Sequence, residues 1–85
     1  MKPSQMYRSD FLRKFDIRIE RLRAGYAFVY RGADRVAPSC SWGTLEKVGN
    51  KWMFQRRKRK YERISPTYGI TQCDAIAAFI EKEAP

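Results

Sequence analysis

The sequence predicts a small α+β domain of element order α-β-β-β-α, in which a three-stranded antiparallel sheet is packed by one or two helices. Three observations carry this. Tyr26–Arg31 is dense in aromatic and branched residues, Gly49-Asn50 separates two strand-like runs, and a capping pattern opens an apolar helix near the C-terminal end. With 85 residues the chain reads as one domain spanning 1–85, able to bury about 60–65% of its unfolded surface. Its 44% hydrophobic and 32% charged content is that of a folding chain. Residues 1–8 are expected to form a flexible N-terminus and 81–85 a fraying end.

Along residues 9–23, Phe11, Phe15, Ile19 and Leu22 fall on one face of a helix, with Leu12 beside them. Ser9 would cap its start and Gly25 close its end. The run Phe15-Asp16-Ile17-Arg18-Ile19 alternates like a strand and stands against that reading. Tyr26–Arg31 follows as a strand, and a loop through Ala37-Pro38-Ser39-Cys40-Ser41 separates it from the next. Thr44–Val48 and Lys51 to about Arg59 then make a hairpin, because Gly49 supplies the positive φ of a tight turn. Ser65–Gly69 reads as a break. Thr71, three residues before Asp74, opens a helix to about Glu83 that turns Ile76, Phe79 and Ile80 toward the sheet.

The chain has no histidine, so Ser-His-Asp and Cys-His relays and mixed Cys/His zinc sites are excluded. Cys40 and Cys73 are two lone thiols, expected reduced and not metal-binding. The acids, among them Asp10, Asp16, Glu20, Asp34, Glu46, Glu62 and Asp74, show no spacing that would hold a magnesium ion. The expectation is therefore no enzyme, no cofactor and no metal. The longest apolar runs, Tyr26–Tyr30 and Ala75–Ile80, fall far short of the roughly 20 residues that cross a bilayer, and no export signal opens the chain. A cytoplasmic protein without a membrane partner is expected.

Eighteen Lys and Arg against nine Asp and Glu leave a net charge of +9. Of this, +6 lies in residues 51–63, where seven cations face only Glu62. Five of them, Arg56-Arg57-Lys58-Arg59-Lys60, are adjacent, and such a run destabilises the fold by self-repulsion unless an anion screens it. The expected function is nucleic-acid binding, DNA slightly ahead of RNA. Phosphates would be held by Lys51, Arg56, Arg57, Lys58, Arg59, Lys60 and Arg63, with Arg31 and Arg35 flanking. The alternative is a non-enzymatic interaction or inhibitor protein whose basic ridge docks on an acidic surface of a larger complex. Phe28, Trp52 and Phe54 are expected inside, whereas Tyr30, Trp42 and Tyr61 are expected exposed beside Arg31 and the ridge, where aromatic rings could stack on bases.

Gly25-Tyr26-Ala27-Phe28-Val29 is similar to the central strand motif of RNA-recognition motifs, and that resemblance implies base stacking by Tyr26 and Phe28. It covers five residues and departs from the pattern at Ala24 and Arg31, where that family has a basic residue and an aromatic. The element order resembles a double-stranded-RNA-binding domain, but Thr71-Gln72-Cys73-Asp74 stands where that family carries its basic cluster. Tyr30-Arg31-Gly32 and Lys51-Trp52 are loosely similar to domains that lay a three-stranded sheet in the major groove, at too long a spacing. Gly-Tyr and Tyr-Arg-Gly are likewise similar to a nuclease family named for paired glycine-tyrosine motifs, at too short a one. None of these amounts to a family assignment.

Overall fold

A computed structural model describes residues 6–32, 41–58 and 61–83. Helix α1 (Arg8–Lys14) leads into β1 (Ile17–Arg23), β2 (Tyr26–Arg31), β3 (Gly43–Val48), β4 (Lys51–Arg56), β5 (Thr67–Gly69) and helix α2 (Gln72–Glu83). The five strands form one antiparallel sheet in chain order, each pairing with its neighbours in sequence. The α+β class is as expected, but the sheet has five strands instead of three.

One extra strand comes from a segment with two competing patterns, the other from a segment read as a break. Residues 9–23 are not one helix: α1 ends at Lys14, Asp16 takes a left-handed φ of 54°, and β1 begins at Ile17. The alternation Ile17-Arg18-Ile19-Glu20 prevails because β2 gives it a pairing partner, Ile17 opposite Arg31 and Ile19 opposite Val29. Ser9 lies inside α1, and Tyr7 at its N-cap provides no side-chain hydrogen bond. Gly25 turns the β1–β2 hairpin rather than closing a helix, and its carbonyl accepts from Lys47 N–H at 2.7 Å. Leu22 falls where the β1–β2 register shifts and is 57% exposed, not on an apolar helix face. The expected break at Ser65–Gly69 holds strand β5, which pairs Thr67 with Phe54 and Gly69 with Trp52. The hairpin around Gly49-Asn50 forms with Gly49 at φ 63°, though β4 stops at Arg56 instead of reaching Arg59.

Both helices pack on one face of the sheet. Phe11 from α1 and Ala75, Ile76 and Phe79 from α2 meet Ile17, Ala27, Val29, Leu45 and Phe54, all buried. Each large side chain so buried contributes about 1.5–3 kcal/mol before the cost of ordering it. The start of α2 follows its capping pattern: Asp74 N–H donates to Thr71 Oγ1 at 3.1 Å, and Thr71 N–H donates to Asp74 Oδ2 at 3.3 Å. The Thr67 hydroxyl donates to the Ala75 carbonyl at 2.8 Å and ties α2 to β5.

Candidate nucleic-acid interface

The end of the sheet where β2 and β4 finish and β3 begins gathers cations around an aromatic nest. Trp42 packs on Phe54 and Phe79 at ring separations of 4.9 and 5.7 Å, and Phe54 on Phe79 at 5.3 Å. The nest needs a glycine beside it. A Cβ on Gly43 would lie 2.6 Å from the Gln55 carbonyl oxygen and 2.7 Å from the Phe54 ring. Trp42 also joins three strands through its backbone: its N–H donates to Val29 O at 2.7 Å, and its carbonyl accepts from Arg57 N–H at 2.9 Å. The second bond sets where the chain leaves β4, and therefore where Arg57 and Lys58 begin.

Two adjoining hollows open at this end. One, of about 380 Å³, is lined by Arg31, Trp42, Arg56, Phe79, Ile80 and Glu83. The other, of about 260 Å³, is lined by Ser41, Trp42, Arg56, Arg57 and Lys58. They share Trp42 and Arg56 as a wall. The Arg31 guanidinium lies 4.9 Å from the Trp42 ring centroid and 5.9 Å from that of Phe15, so an exposed cation is held on an aromatic surface.

The expected ridge is not a straight continuation of β4. Arg56 is drawn back, its Nη2 donating to Glu62 Oε2 at 2.7 Å, and its Nε is buried without a partner. Gln55 Nε2 donates to the Ile64 carbonyl at 3.0 Å, so the chain returns past β4 before entering β5. Arg57, Lys58 and Arg63 are exposed, and Tyr61 is 90% exposed. Lys51 sits at the other end of β4, roughly 17 Å of strand from Arg56. The structure therefore brings together Arg31, Arg56, Arg57 and Lys58 and leaves Lys51 apart. Arg35, Arg59, Lys60 and Cys40 lie outside the described residues.

Expectations for the aromatics divide. Phe54 is inside and Tyr61 outside as expected, and Trp52 is half-buried against the core. Tyr30 is not exposed but 1% accessible, Trp42 is half-buried in its nest, and Phe28 is half-buried on the face opposite the helices. Tyr26, Phe28 and Tyr30 form a row along that face, with Arg23 4.7 Å from the Tyr26 ring and Arg18 5.4 Å from the Tyr30 ring. Sequence reasoning missed these two arginines because it read residues 9–23 as one helix, whereas both stand in β1. Their signal is the strand register, Arg18 opposite Tyr30 and Arg23 opposite Tyr26. Glu20 opposite Phe28 and Glu46 opposite Tyr26 add carboxylates to that face, so it is far less cationic than the Trp42 end.

Among the described residues no group of three or more acids and thiols is placed to hold a metal ion, and no helix is long and apolar enough to cross a membrane. Burial pushes the Cys73 thiol above its ordinary value, and the nearby Asp74 charge acts the same way. Arg8, whose Nη1 lies 3.7 Å from the sulfur, opposes both. Compared with known proteins, the chain matches no family model, no curated protein and no solved structure. The likeness of residues 25–29 to RNA-recognition motifs does not extend to the architecture, since β2 follows a helix and its own hairpin partner in an uncrossed sheet.

Proposed function

We propose that the protein binds nucleic acid through its phosphates, using the basic segment 56–63 with Arg31 at the Trp42 end of the sheet. The observation that supports this most is the gathering of Arg31, Arg57 and Lys58 around one half-buried tryptophan. Exposed cations held this close repel one another, and a polyanion removes that repulsion while releasing the counterions condensed on its own backbone. Arginine adds bidentate geometry and lysine a point charge. Arg56 serves a different purpose from the one its sequence position suggests: paired with Glu62, it holds the base of the segment so that its neighbours project. The reading is one of binding without catalysis, with DNA ahead of RNA. A cytoplasmic setting fits the free thiol of Cys73.

The test is the double variant Arg57→Ala/Lys58→Ala. Each phosphate contact contributes about −0.9 to the slope of log K against log salt on duplex DNA, so losing two should make the slope shallower by about 1.8. Binding should weaken alike on unrelated sequences. An unchanged slope would set the phosphate reading aside. A single substitution that abolishes capture of one acidic protein would put in its place the docking of the ridge on a protein surface.

A further inference from the structure

The two hollows differ in chemistry although they share a wall. The larger has an apolar floor, Trp42, Phe79 and Ile80, with the Arg31 guanidinium resting against Trp42. The smaller is lined by Arg56, Arg57 and Lys58 with Ser41, and among the described residues no carboxylate lines it. A planar apolar group beside an anion is the chemistry of a single nucleotide. We infer that the pair of hollows is a site for one unpaired nucleotide, its base against Trp42 and Arg31 and its phosphate on Arg57 and Lys58. This rests on the phosphate-binding reading and adds to it a strand form and a point of attachment.

Three features orient such a ligand. Glu83 offsets part of the charge of Arg31 and Arg56 in the larger hollow, whereas the smaller sets Arg56, Arg57 and Lys58 together, so the anion is held better in the smaller one. Arginine planes and aromatic rings both stack on bases, and here one lies on the other, giving a surface that is flat and cationic at once. A volume of about 380 Å³ lies at the lower end of the range of roughly 300–1,000 Å³ typical of small-molecule sites, which is room enough for one base. A base in a duplex is stacked on both sides and must be unpaired before it enters, at a cost of a few kcal/mol. A free single strand or an overhang enters without that cost.

The experiment uses Trp42 as its own reporter. Of the two tryptophans, Trp52 lies at the β5 side of the sheet, and Trp52→Phe leaves Trp42 as the sole tryptophan, excited apart from the five tyrosines at the red edge of absorption. A short single-stranded DNA should quench Trp42 emission, and a blunt duplex of the same sequence should bind without quenching. Ile80→Phe, which fills the larger hollow, should reduce the preference for single strand over duplex by about 5- to 150-fold, the equivalent of one lost base stack. Single-strand binding that leaves Trp42 emission unchanged overturns the nucleotide site while the phosphate reading stands, and this result does not depend on how Ile80→Phe folds. Absence of binding to either strand form at low salt overturns both. Quenching by polyglutamate equal to that by the oligonucleotide overturns the nucleotide site in favour of an acidic chain.

Discussion

Glu62→Gln separates the two roles assigned to neighbouring arginines. The Arg56–Glu62 pair is closed at 2.7 Å, with side chains 20% and 35% exposed. Fully exposed pairs contribute about 0–1 kcal/mol, and breaking a fully buried one costs about 3–5. Both partners here retain water, so the loss should be about 1–2 kcal/mol. For a domain of this size each kcal/mol moves Tm by about 4–8 °C, giving a fall of roughly 4–16 °C in a thermal melt followed by circular dichroism. Removing an acid from a chain of net charge +9 also raises its self-repulsion, which acts in the same direction on Tm, and strengthens its attraction to phosphate. Tighter low-salt DNA binding together with a lower Tm is therefore the expected combination. An Arg56→Met/Glu62→Gln cycle should show a coupling of about 1 kcal/mol. An unchanged Tm in Glu62→Gln would refute the clamp and return Arg56 to the phosphate ligands.

Other perturbations follow from single contacts. Thr71→Ala removes the acceptor for Asp74 N–H and should cost about 1 kcal/mol in urea unfolding, with little change in the slope of the transition. Gly43→Ala forces a methyl group against the Gln55 carbonyl and the Phe54 ring, and should lower stability by about 1–3 kcal/mol in the same assay. In a Cys40→Ser background, Cys73 should alkylate more slowly in the folded chain than in urea at about pH 8, because burial raises its pKa above the unfolded value of about 8.5. The matching stability is present below that unfolded value and is lost as pH rises through the folded one, so the urea midpoint should fall on the alkaline side and Cys73→Ser should reduce the fall.

How legible the chain was depended on whether a local pattern had one solution. Thr71 and Asp74 could cap only a helix, and Gly49-Asn50 between alternating runs could turn only a hairpin; both elements formed, with β4 ending at Arg56 short of the expected Arg59. Phe11, Phe15 and Ile19 satisfied a helical period while Ile17 and Ile19 satisfied a strand period. Pairing with Val29 and Arg31 across the hairpin at Gly25 decided between them, and the period of one segment does not show that pairing. Thr67–Gly69 is a three-residue strand next to a proline, too short to show any period. The charge of the site was legible from composition, but its sorting was not. The capture of Arg56 by Glu62 and the closing of Trp42 on Phe79 arise only when the loop after β4 folds back and α2 lies across the sheet.

Binding of labelled single-stranded DNA, duplex DNA and duplex RNA, each titrated at several salt concentrations, tests the central claim most directly. Tight low-salt binding with log K falling against log salt at a slope of about −4 to −6 on duplex DNA is the predicted result, corresponding to roughly five to seven neutralised phosphates. Absence of binding to all three at low salt would contradict it.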